Sequence, residues 1–148
     1  NRNSRNRVIQ DAIQMQGILE KQAMTEEQTS GRYIRPIVLF QAQPKTSTDS
    51  ETFEKIKRLL LELNIPEEQI AIKTSKVDTL GKTNLMQRDC PIRFIITVNA
   101  LKEGWDCPFA YILASLAKRK ILFQILIRLR YKSHQFPVMQ NHYQCFLM

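Results

Sequence analysis

The sequence predicts an α/β domain: a mostly parallel sheet with flanking helices, preceded by one further helix at the N-terminus. Three observations lead there. The run "IVLF" is apolar without alternation, as a strand covered on both faces requires, and "IAIKT" and "RFIITV" read as further strands. Between the first two lies a segment whose apolar residues Phe53, Ile56, Leu60 and Leu63 recur at helical spacing. Strands that alternate with helical patterns belong to crossover units and hence to parallel pairing.

Element by element, residues 8–23 read as a helix, with Val8, Ala12, Met15 and Leu19 on one face and Gly17 weakening it slightly. The polar stretch "MTEEQTSGR" (24–32) ends that helix and reads as a linker, which makes the helix an appendage. The first strand lies within residues 35–43, followed by the loop "PKTSTDS". Thr48 and Glu51 fit a capping box at the start of the next helix, and "NIPEEQ" (64–69) breaks it. Further strands are expected over 70–74, 93–98 and 110–115. Residues 76–90 are polar, with room for a short helix. A last helix, from 120 to about 132, is apolar nearly all round and should be buried. The expected division is 1–31, helix and linker; 32–132, the α/β lobe; 133–148, a divergent tail.

At 148 residues the chain has the size of one ordinary domain, and 43% apolar with 24% charged residues is an ordinary globular balance. No run approaches the roughly 20 apolar residues of a membrane span. The first ten residues are polar and basic, without a signal core, so a cytoplasmic protein is expected. Cys90, Cys107 and Cys145 are odd in number and lack metal spacing. Net charge is 22 − 14 = +8, unevenly placed. From residue 107 onward there are six Lys and Arg and no acid, a balance suited to a polyanion.

In a parallel sheet, functional loops gather at the carboxyl ends of the strands. That puts residues 41–45, 74–76 and 99–106 on one working edge. "GKT" (81–83) is no phosphate loop, because the glycine needed five positions earlier is Lys76. No acid is followed two residues later by lysine, so a nuclease core of that form is missing. His134 and His142 sit in a polar tail, and no Ser-His-Asp arrangement can be argued.

The stretch "ITVNALKEGWDCPFAYILAS" resembles the motif V region of superfamily 2 helicases. More narrowly, it is similar to the version in the Res subunit of type III restriction enzymes and related DEAD/DEAH-type ATPases. "YIRPIVLFQAQPK" resembles the same family's motif IV, and "LNIPEEQIAI" also fits, so the likeness spans roughly residues 32–130. It implies the C-terminal RecA-like lobe of the motor, a P-loop NTPase fold without its P-loop. It also implies ATP with Mg2+, held mainly by a first lobe absent from this chain. Gly104, Asp106 and Gln124 would then face the nucleotide, with Arg128 and Arg130 as the catalytic arginines. Gln41, Lys45, Thr74, Ser75 and Lys102 would contact nucleic acid. The implied partners are DNA, the N-terminal motor lobe and a modification (methyltransferase) subunit, with no membrane. Motif VI departs from the family: Gln124 and Arg128 match, Ile127 replaces a glycine, and Arg130 arrives one residue early. Two alternatives stay open. One is a non-catalytic nucleic-acid-binding remnant of such a lobe; the other is an interaction module that docks through residues 8–23.

Overall fold

Four parallel strands form the heart of the sheet. The computed structural model describes residues 2–46, 52–98, 110–116, 120–123 and 143–145. In chain order the elements are α1 (Arg2–Ser30), β1 (Ile37–Gln41), α2 (Phe53–Glu62), a 3-10 turn (Glu67–Gln69), β2 (Ile70–Lys73), β3 (Phe94–Thr97), β4 (Ala110–Ser115), β5 (Lys120–Phe123) and β6 (Tyr143–Cys145). The sheet order is β2-β3-β1-β4-β5-β6. Strands β2, β3, β1 and β4 run parallel, β5 is antiparallel to β4, and β6 is parallel to β5. The predicted α/β class with a mostly parallel sheet is what the chain adopts.

The continuous apolar runs explain the middle of the sheet. All four residues of β3 are buried, which a strand achieves only when both its faces are covered. Phe40 of β1 stacks on Phe94 of β3, with ring centroids 6.2 Å apart and planes 20° off parallel. Helix α2 lays Ile56 and Leu60 against this core, with Phe53, Leu59 and Leu63 partly buried beside them. Thr52 is its N-cap and accepts from the Lys55 amide at 3.5 Å. Thr48 and Glu51 of the expected capping box lie outside the described residues. At the other end Asn64 takes a left-handed conformation, φ 65°. The Asn64 amide donates to the Leu61 carbonyl and the Ile65 amide to that of Leu60, the paired bonds of a Schellman ending.

Helix α1 departs from expectation in two ways. It runs to Ser30 instead of stopping near residue 23, and it is part of the core. Ile9, Ala12, Met15, Leu19 and Ala23 are fully buried along one face. Polar contacts add to this. Gln16 Nε2 donates to the Pro36 carbonyl at 3.1 Å, and Glu20 accepts from Arg93 Nε at 2.8 Å, just ahead of β1 and β3. The apolar period was read correctly; the polar residues after it hid both the length of the helix and its docking.

Two other segments differ. Residues 76–90 hold turns and no helix, so the β2–β3 crossover is made by irregular chain. Residues 120–123 begin no helix but form β5, which pairs Phe123 with Ile112 and Lys120 with Ser115. A short apolar run such as "ILF" serves either state, and the free edge of β4 decides it. The rest of that expected helix lies outside the described residues.

Candidate ligand edge of the sheet

Each of the four parallel strands ends on a polar residue. Lys73 is in register with Thr97, Thr97 with Gln41, and Gln41 with Ser115. Register partners in parallel strands point to the same face, so these four form a polar row at the carboxyl edge of the sheet. Ladder bonds continue one residue beyond it, from the Ala42 amide to the Thr97 carbonyl at 2.7 Å and from the Leu116 amide to the Gln41 carbonyl at 3.3 Å. Thr97 and Ser115 are buried, and Gln41 is half-buried. Thr97 Oγ1 is the one atom of the row that is buried with no hydrogen-bond partner among the described residues.

The loop after β2 is built by two side chains. The Thr74 hydroxyl accepts from the amides of Lys76 (3.3 Å) and Val77 (2.9 Å) and donates to the Val77 carbonyl at 3.2 Å. Asp78 Oδ1 accepts from the amides of Leu80 (3.0 Å) and Gly81 (2.8 Å), while its Oδ2 pairs with Lys73 Nζ at 2.7 Å. Thr79 closes the outer edge of β2: its hydroxyl accepts from the Ile72 amide at 2.8 Å, and its own amide donates to the Ile72 carbonyl at 2.9 Å. The result is a fixed turn with Ser75 and Lys76 exposed at its tip.

Among the residues expected to meet nucleic acid, Gln41 stands in the polar row and Lys45 is exposed four residues beyond it. Ser75 is exposed at the turn, whereas the Thr74 hydroxyl is engaged by its own loop. Lys102, Gly104, Asp106, Gln124, Arg128 and Arg130 lie outside the described residues. The sequence reading passed over Lys73, Thr97, Ser115 and Asp78. Lys73 carried the clearest signal, as the polar residue that ends the run "IAI", whereas Thr97 and Ser115 stand between apolar neighbours, ahead of Val98 and Leu116. The "GKT" segment is an exposed turn with Gly81 at φ 56° and its amide taken by Asp78. Among the described residues no group of His, Cys, Asp or Glu is arranged to hold a metal ion, and no helix is long and apolar enough to cross a membrane.

The Lys73 ammonium beside Asp78, helped by the Gly81 amide, holds the Asp78 carboxyl below the usual carboxylate range, against the opposing pull of burial. A depressed folded-state pKa contributes stability above the ordinary value, and that stability is lost as pH falls through the depressed one. The Leu80 and Gly81 amide resonances should therefore hold steady at neutral pH and shift only in acid below the ordinary carboxylate titration. Asp78→Asn should abolish that acid transition while sparing the resonances of β3; a transition that survives the substitution would place its origin elsewhere.

No family model, curated protein or solved structure matches the chain.

Proposed function

We propose that the chain is the second motor lobe of an ATP-dependent DNA translocase or helicase of the type III restriction enzyme kind, completing an ATP site and contacting DNA. The observation that carries this reading is the block "ALKEGWDCP" (100–108), which lies in sequence between β3 and β4, two parallel strands of an α/β sheet consistent with a RecA-like fold. In such a motor, ATP with Mg2+ is held chiefly by a first lobe. The second lobe supplies polar groups to the sugar, here Gly104, Asp106 and Gln124, and arginines to the γ-phosphate, here Arg128 and Arg130.

The chain's own chemistry agrees with a supporting part. It has no P-loop, so the triphosphate cradle must come from elsewhere. Gln41, Lys45, Ser75 and Lys102 offer an amide, a hydroxyl and ammonium groups. Such groups bind backbone phosphates and position a strand without reading its sequence. Thr74 belongs to the same set through the turn that it shapes.

The test is a two-lobe reconstitution. Purified alone, the chain should release no phosphate from ATP. Joined to a first lobe carrying a P-loop, it should complete a DNA-stimulated ATPase. DNA affinity should fall steeply with salt, with a log–log slope of about −4 if the four basic residues after position 107 other than Arg128 and Arg130 neutralise phosphates. Salt-independent affinity, or no turnover with any first lobe, would refute the motor reading. A second reading, a DNA-binding remnant without catalysis, is favoured by Ile127 and the early Arg130 in motif VI. It predicts the salt slope without the turnover.

A further inference from the structure

Residues 24–30 form the last two turns of α1, yet nothing apolar is buried there. Ala23 is the last fully buried residue, Met24 is 48% exposed, and Thr25, Gln28, Thr29 and Ser30 are exposed. Local preferences oppose a helix. The hydroxyls of Thr25, Thr29 and Ser30 donate back to helix carbonyls at 2.9–3.1 Å, a habit that weakens and bends helices. The last turn carries no basic residue, and Glu26 and Glu27 stand near the negative end of the helix dipole. By sequence this stretch reads as a linker.

The tertiary contacts of this stretch converge on Glu27. Its Oε2 accepts from Arg35 Nη2 at 3.2 Å, and its Oε1 pairs with Arg88 Nη1. The two guanidinium groups lie over the Tyr33 ring, 4.6 and 4.7 Å from its centroid. The Tyr33 hydroxyl shares its one proton between the carbonyls of Gln87 and Arg88, each 3.3 Å away, tying in the end of the β2–β3 crossover. Gly31, at φ 72°, closes the helix by donating its amide to the Glu27 carbonyl at 2.8 Å. Glu20 is a separate hold one helical stretch earlier, on Arg93 and Arg35.

We propose that residues 24–30 are a conditional helix, ordered by the grip of Glu27 on Arg35 and Arg88, and that releasing this grip turns them into a tether while α1 through Ala23 stays docked. The release frees residues 87–90 as well, because Arg88 and Tyr33 are shared. The device sets how stiffly α1 joins β1, and it is independent of the motor reading. Arg88 is the accessible half of the grip, with 66% of its side chain exposed, so an external anion can compete for it there.

Acid is one way to open it. The groups facing Glu27 are Arg35, Arg88 and the Tyr33 ring, with Glu26 beside it on the helix. Burial raises the Glu27 carboxyl, but the hydrogen bonds and charges of Arg88 and Arg35 outweigh it and hold the group below its usual range. The grip is therefore intact at neutral pH and lost only as pH falls below the usual carboxylate range.

Residue-resolved amide exchange of the full chain tests this. Glu27→Gln should lose protection at residues 24–31 and 87–90, with 8–23, β1 and β3 unchanged. Arg88→Gln should loosen the same residues to a lesser degree, because Arg35 still holds Glu27. Glu26→Gln, which leaves the grip intact and removes a charge from the negative end of the helix, should lower protection nowhere. Full protection of 24–30 in both the Glu27 and Arg88 variants would overturn the proposal. So would a loss in the Glu27 variant spread evenly over α1, β1 and β3, since that would make the grip part of the global core.

Discussion

Leu19→Ala should destabilise the domain by about 2–5 kcal/mol, the usual cost of emptying a well-packed leucine site. The reason is the position of α1. Leu19 is fully buried, and so are Met15 one turn before it and Ala23 one turn after it. Truncation removes the transfer energy of the side chain and leaves a cavity walled by a helix and a sheet that cannot both collapse into it. Gln22→Ala, on the exposed side of the same helix, should change stability by no more than about 0.5 kcal/mol. Urea unfolding followed by a probe in the sheet separates the possibilities. If α1 stood apart from the sheet, the two substitutions would leave the sheet transition equally undisturbed. A shift of the Leu19 midpoint alone, with an unchanged slope, places the helix inside the cooperative unit.

That expectation corrects the reading of residues 24–32 as a linker to an appended helix, and the reason is instructive. The 3.6-residue period of Val8, Ala12, Met15 and Leu19 predicted which side chains are buried. It could not say against what. The docking partners, Pro36, Arg35 and Arg93, are spread over nearly sixty residues of later chain, and no local pattern links Glu20 to Arg93. The strands were easier. A run such as "IVLF", apolar at every position, needs cover on both faces, and together with the helical spacing between the strands it implied the parallel sheet. β5 was missed because "ILF" is too short for either period to assert itself.

The candidate edge divides in the same way. The ends of β1 and β2 are legible, since the runs "IVLF" and "IAI" stop at Gln41 and Lys73, and the alignment of all four ends into one row follows from parallel register. The identity of the engaged groups was not legible. The resemblance implies that Thr74 contacts nucleic acid, but its position ahead of Lys76 and Val77 lets its hydroxyl satisfy the turn, as Thr and Ser commonly do. Asp78 was passed over because its partners, Lys73 and the Leu80 and Gly81 amides, meet only once the chain folds back. The unpartnered Thr97 hydroxyl sits between Ile96 and Val98, and nothing in that stretch hints that a polar residue there serves a purpose.

The largest functional effect is expected at the end of the resemblance. In the reconstituted two-lobe enzyme, Arg128→Ala should lower ATP turnover by about 10³ to 10⁵, the contribution of an arginine finger to phosphoryl transfer. Arg128 stands where the family places an arginine, four residues after Gln124. The family's second arginine falls at residue 131, which is Tyr131, while Arg130 precedes it by one. One residue rotates a helical side chain by about 100°, so Arg130 and residue 131 cannot serve the same face if that segment is helical. Two variants decide between motor and remnant. If the motor is intact, Arg128→Ala removes turnover and Arg130→Ala reduces it, with melting temperatures unchanged and DNA affinity only modestly weakened. If the altered spacing has silenced the lobe, turnover is already negligible, neither substitution changes it, and Tyr131→Arg is the variant that raises it. Turnover that is substantial in the parent yet indifferent to both Arg128→Ala and Arg130→Ala would remove these two residues from the catalytic assignment, and Asp106→Asn would then be the remaining probe of whether this lobe reaches the nucleotide at all.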